Sequence, residues 1–206
     1  MKKIWLVRHG ESTAQAQRKH DPDPELSRRG LAQASALHEA LQPIHFDHIL
    51  ISPLKRTRRT YELARPRGRR IAFDSRLIEC HFDVDYARLL PYTTPDGDIQ
   101  PDEHDAWLWP ADRRVRSLLD TIDRIEARHV LLVAHWGILS LLLMGFLGAV
   151  LPHELVKGRI RCSAPLANGA YGVLVAGHPK YGNCLHVWNA CDHLRQHTRW
   201  PIDEPD

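Results

Sequence analysis

Short apolar runs alternate with amphipathic stretches along most of the chain. Four of these runs, Ile4–Val7, His48–Ile51, Ile71–Phe73 and Val130–Ala134, have the length of strands, and helix-like or loop segments follow them. Between the first two, Leu31, Ala34, Leu37 and Leu41 recur at helical spacing, with Leu26-Ser27 as a start signal. After the second, "SPLKRTRRTYELA" predicts a helix with Ser52 as N-cap and Pro53 at its first position. Val115, Leu118, Leu119, Ile122 and Ile125 mark a third helix leading into the fourth strand. This alternation predicts an α/β fold with a mainly parallel sheet covered on both faces. Near the end, Tyr171–Val175 and Cys184–Trp188 flank "AGHPKYGN" and predict a C-terminal antiparallel hairpin. Tyr92–Pro110, rich in Pro, Asp and Trp, reads as part of an irregular insertion at about 83–110 within a single domain spanning 1–206.

The longest apolar stretch needs a separate reading. Val130–Leu151 runs 22 residues without Asp, Glu, Lys or Arg, enough for a membrane span by length. His135-Trp136-Gly137 divides it into a strand-like and a helix-like part, which is how a buried strand–loop–helix of a parallel sheet reads. The expectation is therefore no membrane partner. At the N-terminus, Arg8 interrupts the apolar run after Val7, too soon for the core of a secretion signal.

Composition narrows the picture further. The 206 residues are 43% hydrophobic and 26% charged, a soluble globular balance with a substantial core. A net charge of only +3 implies no nucleic-acid partner. Charge is unevenly spread: Lys55–Arg70 holds eight Lys or Arg and one Glu, whereas Asp83–Asp105 holds seven acidic residues and one Arg. Such runs read first as solvated faces, and Arg56 is the member that suits an anion site. The four cysteines show neither metal-type spacing nor a dense disulfide pattern, which points to reduced thiols and a cytoplasmic protein.

Candidate chemistry appears where the strands end. In open parallel sheets ligands bind beyond the carboxyl ends of the strands. Arg8-His9 follows the first strand, Ser52 and its helix follow the second, and His135 follows the fourth. Two histidines and two arginines gathered there suit a phosphate. Guanidinium forks match phosphate oxygens and stay charged, and a helix start adds N–H donors. A neutral histidine is a competent nucleophile toward phosphorus. A second, protonated one would offset charge on the transferring group. The leaving oxygen needs a proton, and Glu79 in "DSRLIECHFD" is a candidate, with Asp83 and Asp85 as competing carboxylates.

These residues lie within motifs that resemble the histidine phosphatase superfamily, the phosphoglycerate mutase-like proteins. The ordered stretches are "LVRHGES", "PELSRRGLAQA", "SPLKRTRRT" (Ser52, Arg56, Thr60), "RLIE" and "VLLVAHWG", together spanning Ile4–Gly137. The resemblance implies a three-layer α/β/α sandwich. It also implies that His9 is the nucleophile that becomes phosphorylated, that Arg8, Arg56 and His135 bind the phosphate, and that Glu79 is the proton donor. No metal and no cofactor are implied. Gln15 stands where the family often has a substrate-contacting Asn, and its longer amide can reach a similar oxygen.

The expected activity is metal-independent hydrolysis of a phosphate monoester, with a small-molecule phosphate ester as substrate. Mutase-type phosphoryl transfer is the alternative; "CHFDVDYARLL" stands after Glu79 where the mutases carry a glycine-rich stretch, which favours hydrolysis. A non-catalytic phospholigand-binding or protein-binding module on the same fold is the third reading. The substrate itself and the oligomeric state are not written in the motifs.

Overall fold

The computed structural model describes residues 1–80, 111–148, 164 and 166–197. Its strands are β1 (Lys2–Arg8), β2 (His45–Ile51), β3 (Arg67–Phe73), β4 (His129–Ala134), β5 (Tyr171–His178) and β6 (Gly182–Ala190). The helices are α1 (Thr13–Gln17), α2 (Arg28–Leu41), α3 (Lys55–Ala64), α4 (Ala111–Arg124), α5 (Trp136–Phe146) and α6 (Asp192–His197), with a 3-10 turn at Ser75–Leu77. The strands form one six-stranded sheet in the order β3-β2-β4-β1-β5-β6. β3, β2, β4 and β1 run parallel; β5 is antiparallel to β1, and β6 to β5. The α/β class, the mainly parallel sheet and the C-terminal hairpin all match the sequence pattern.

Alternation along the strands explains the two covered faces. Ile4, Leu6, Leu50, Leu132 and Ala134 join a core with α4 and α5. Val7, Ile49, Ile51, Leu131 and Val133 point to the other face and pack with Leu37 and Leu41 of α2 and Ala64 of α3. Central strands buried on both sides are apolar at every position, which is why β4 reads as "VLLVA". In α2, Ala34, Leu37 and Leu41 are buried as the spacing predicts, whereas Leu31 faces solvent. Ser27 caps α2 by accepting from Gly30 N. The apolar stretch after β4 is resolved as an 11-residue helix, α5, so no helix among the described residues is long and apolar enough to cross a membrane. The expected insertion at 83–110, with Asp83 and Asp85, lies outside the described residues, as do residues 149–163.

Two histidines on the strands, His48 in β2 and His129 in β4, carry a pH dependence. Burial pushes both His48 and His129 below their ordinary 6.5, and nearby cations, Arg70 at His48 and Lys3 at His129, add to the effect. The indole N–H of Trp5 donates to His129 Nδ1 at 3.3 Å, so the neutral ring is the one that fits. The unfolded chain therefore takes up protons more readily, and stability falls as pH drops below 6.5. Urea midpoints measured from pH 8 to pH 5 should decline on the acid side, and H48Q/H129Q should flatten that decline. A slope unchanged in the double variant would contradict this account.

Candidate active site

Three strand ends meet because their backbones are registered side by side. Arg8 pairs with Ala134 across β1 and β4, and Ile51 pairs with Val133 across β2 and β4. The ladder continues one step further: His9 N donates to Ala134 O at 3.0 Å and Ser52 N to Val133 O at 2.9 Å. The residues that follow, His9, Ser52 and His135, are thereby forced into contact. The His9 and His135 rings lie 5.0 Å apart at 62°, and both side chains are buried.

The His9 tautomer follows from its partners. Gly10 O lies 2.6 Å from His9 Nδ1, and a carbonyl oxygen can only accept, so Nδ1 carries the proton. Arg56 Nε–H donates to His9 Nε2 at 3.3 Å, so Nε2 presents its lone pair. A lone pair on a buried imidazole faces a buried guanidinium. An anion entering between them would meet a nucleophile and a counter-charge together.

Arg56 reaches this position from the first turn of α3. The expected cap for that helix is overturned: α3 begins at Lys55, Leu54 is the N-cap residue, and it makes no side-chain cap bond. Asp23 takes over from a distance, accepting from Lys55 N at 2.9 Å and lying 4.0 Å from Arg56 Nη1. Ser52 Oγ instead bonds His135 Nε2 at 2.8 Å. The local sequence suggests capping because it shows the hydroxyl's neighbours in the chain and not His135, 83 residues away.

Arg8 turns from the end of β1 to donate to Leu166 O at 2.7 Å. Glu79 sits at the start of α5, where its carboxylate accepts from Cys80 N (2.8 Å), Gly137 N (3.2 Å) and Ile138 N (3.2 Å). A Cβ on Gly137 would come 2.6 Å from Glu79 Oε1, so the glycine after Trp136 makes room for the carboxylate. Gln15 is placed differently from the others. It is exposed, and its Oε1 closes a capping box with Ser12 N at 3.0 Å while accepting from Asn168 Nδ2 at 3.3 Å. Asn168 is buried, and its Oδ1 has no hydrogen-bond partner among the described residues.

The motif "PELSRRGLAQA" explains what holds the His9 loop. Ser27 N donates to Glu11 O at 2.8 Å, Ser27 Oγ donates to Glu11 Oε1 at 2.5 Å, and Gln33 Oε1 accepts from Glu11 N at 2.8 Å. Thr60 Oγ1 accepts from Gly10 N at 3.1 Å. Gly10 and Gly30 touch backbone to backbone, since a Cβ on Gly10 would stand 2.3 Å from Gly30 O. Asp23, Gln33 and Asn168 were not singled out from the sequence. Asp23 and Gln33 lie within or beside a recognised motif, which was the available signal.

The residues brought together and their order along the chain agree with a family match. The model of the histidine phosphatase superfamily (branch 1) covers residues 4–157. The chain belongs to that superfamily. It is 30% identical over 158 residues to the adenosylcobalamin/α-ribazole phosphatase of Salmonella typhimurium, covering 68% of this chain and 77% of that one. It is 33% identical over 165 residues to "Probable phosphoglycerate mutase GpmB" of Citrobacter koseri, covering 72% and 76% respectively. Among solved structures, the phosphoserine phosphatase of Entamoeba histolytica in complex with 3-phosphoglyceric acid superposes with a TM-score of 0.64. That match covers 94% of this chain and all of that one (100%) at 21% identity, a likeness of fold. As a histidine phosphatase superfamily member, the chain shares its family with both phosphatases and mutase-like proteins.

Proposed function

We propose that the protein is a metal-independent phosphatase that hydrolyses a small phosphate monoester through a phosphohistidine on His9. The observation that carries this reading is the His9 tautomer: Nδ1–H is held by Gly10 O, and Nε2 is left facing Arg56. In the first step, the Nε2 lone pair attacks phosphorus in line with the ester oxygen. A P–N bond forms as the P–O bond to the alcohol breaks, while Arg8, Arg56 and His135 hold the equatorial oxygens. Glu79 gives its proton to the departing oxygen. In the second step, Glu79 takes a proton from water, water attacks phosphorus, and the P–N bond breaks to release inorganic phosphate. Gln15 and Asn168, amide to amide, would meet the alcohol portion of the substrate.

The test begins with aryl phosphate hydrolysis in the presence of a chelator, which should proceed at the uninhibited rate. Base-quenched enzyme should carry labelled phosphate that survives alkali and is lost in acid, as a P–N bond requires. Glu79→Gln should slow a poor leaving group by about 10²-fold or more while leaving a good one nearly unaffected. Equal slowing of both would reject Glu79 as the donor. Equimolar release of alcohol and inorganic phosphate separates hydrolysis from mutase-type transfer. The Salmonella relative makes α-ribazole phosphate a natural first member of the substrate panel.

A further inference from the structure

Arg114, in the first turns of α4, is a guanidinium at 4% exposure. Among the described residues no carboxylate lies within ion-pairing distance of it. A buried cation without a counter-ion is costly, so its remaining contacts are informative. Among the described residues it makes two hydrogen bonds: Nη1 donates to Ile78 O at 2.6 Å, and Nη2 donates to Cys80 Sγ at 3.2 Å. Those atoms belong to the residues immediately before and after Glu79. Cys80 also supplies one of the N–H groups that the Glu79 carboxylate accepts.

We propose that Arg114 is a positioning residue for Glu79, clamping the peptide on both sides of it so that the carboxylate keeps its place at the start of α5. The inference rests on the reading of Glu79 as proton donor given above. A guanidinium suits the task because its planar fork fixes two acceptors at a set separation, which an ammonium cannot do. The clamp is local. Upstream, Arg76 pairs with Asp74 (2.6 Å) at the start of its own turn and ties the chain to α4 through Ser117 Oγ (2.8 Å) and Thr121 Oγ1 (2.9 Å). The Ser75–Leu77 turn therefore stays docked when Arg114 is changed, and what loosens is Glu79 itself. A proton donor displaced by about 1 Å loses on the order of 10²-fold in the step that needs it. A good leaving group departs without that proton and is insensitive to the displacement.

The experiment measures kcat/KM for one aryl phosphate with a poor leaving group and one with a good leaving group. The proteins compared are wild type, R114M, R114K, E79Q and E79Q/R114M. R114M is expected to slow the poor substrate by about 10- to 100-fold and the good one by less than about threefold, with R114K falling between wild type and R114M. In the E79Q background, R114M should cost nothing further on the poor substrate, because there is no proton left to position. Equal slowing of both substrates by R114M would mean a merely structural role and overturn the proposal. So would a full additional loss in the double variant. If R114M does not fold, R114K must show the same split between substrates at smaller amplitude, and its absence overturns the proposal. If E79Q itself slows both substrates equally, the Glu79 reading falls and the clamp loses its purpose. If E79Q is selective and neither Arg114 variant is, only the clamp is wrong.

Discussion

His9→Ala should reduce hydrolysis of every phosphate monoester by at least about 10³-fold and abolish the alkali-stable phosphoenzyme. The expectation follows from how few groups near His9 can replace it. His135 lies 5.0 Å away, centroid to centroid, but its Nε2 is engaged by Ser52 Oγ at 2.8 Å. Arg56 points its Nε–H at the position the imidazole vacates and has no nucleophilic atom. On the proposed mechanism the Ala variant therefore keeps the groups that bind phosphate and loses the attacking one. It should still bind inorganic phosphate or vanadate, which separates loss of chemistry from loss of fold. A phosphate-ester binding protein with no catalytic role would differ in the wild type, which would bind the ligand without turnover and without forming a phosphoenzyme.

The second large effect is predicted at a residue that touches no substrate. Gly30→Ala should destabilise the protein by about 1–3 kcal/mol and cost most of the activity. A Cβ on Gly30 would lie 1.9 Å from Glu11 O, a backbone atom that cannot swing aside. Glu11 is the residue after Gly10, and Gly10 O is the acceptor that sets the His9 tautomer. Relief of the clash therefore moves the loop that orients the imidazole. It also strains the contacts from Ser27 and Gln33 that hold Glu11. A thermal melt and kcat/KM measured on the same preparation check both halves. Wild-type activity with a wild-type Tm would contradict the packing argument. Leu31→Ala one position along, at a side chain facing solvent, serves as the control for a change within the same helix.

The legibility of this protein differs between its elements for physical reasons. β4 could be read because a strand buried on both faces must be apolar throughout, and α2 because one face of a helix must be apolar at every third or fourth residue. The meeting of His9, Ser52 and His135 was legible as well, since parallel strands bring their carboxyl ends to one edge. The partner of Ser52 was not. Ser-Pro before a basic helical stretch is a sound local capping signal, and nothing in the local chain says that Asp23 has already taken the first helical N–H. The role of "PELSRRGLAQA" was hidden in the same way. The stretch is a helix start, with Ser27 capping α2, and the same Ser27, Gly30 and Gln33 also serve the loop after β1.

By itself, then, the sequence determined the α/β class, the family motifs and which strand ends carry the polar residues. These are properties of periodicity and order, and periodicity is imposed locally by the geometry of helix and strand. The tertiary structure alone decided which nitrogen of His9 keeps its lone pair, what caps α3, where the Glu79 carboxylate rests and that a buried arginine bonds the residues on either side of it. Each of those depends on a hydrogen bond between residues distant in the chain or on a carbonyl set by a turn. Such bonds are fixed only when the layers close and every buried donor must find an acceptor.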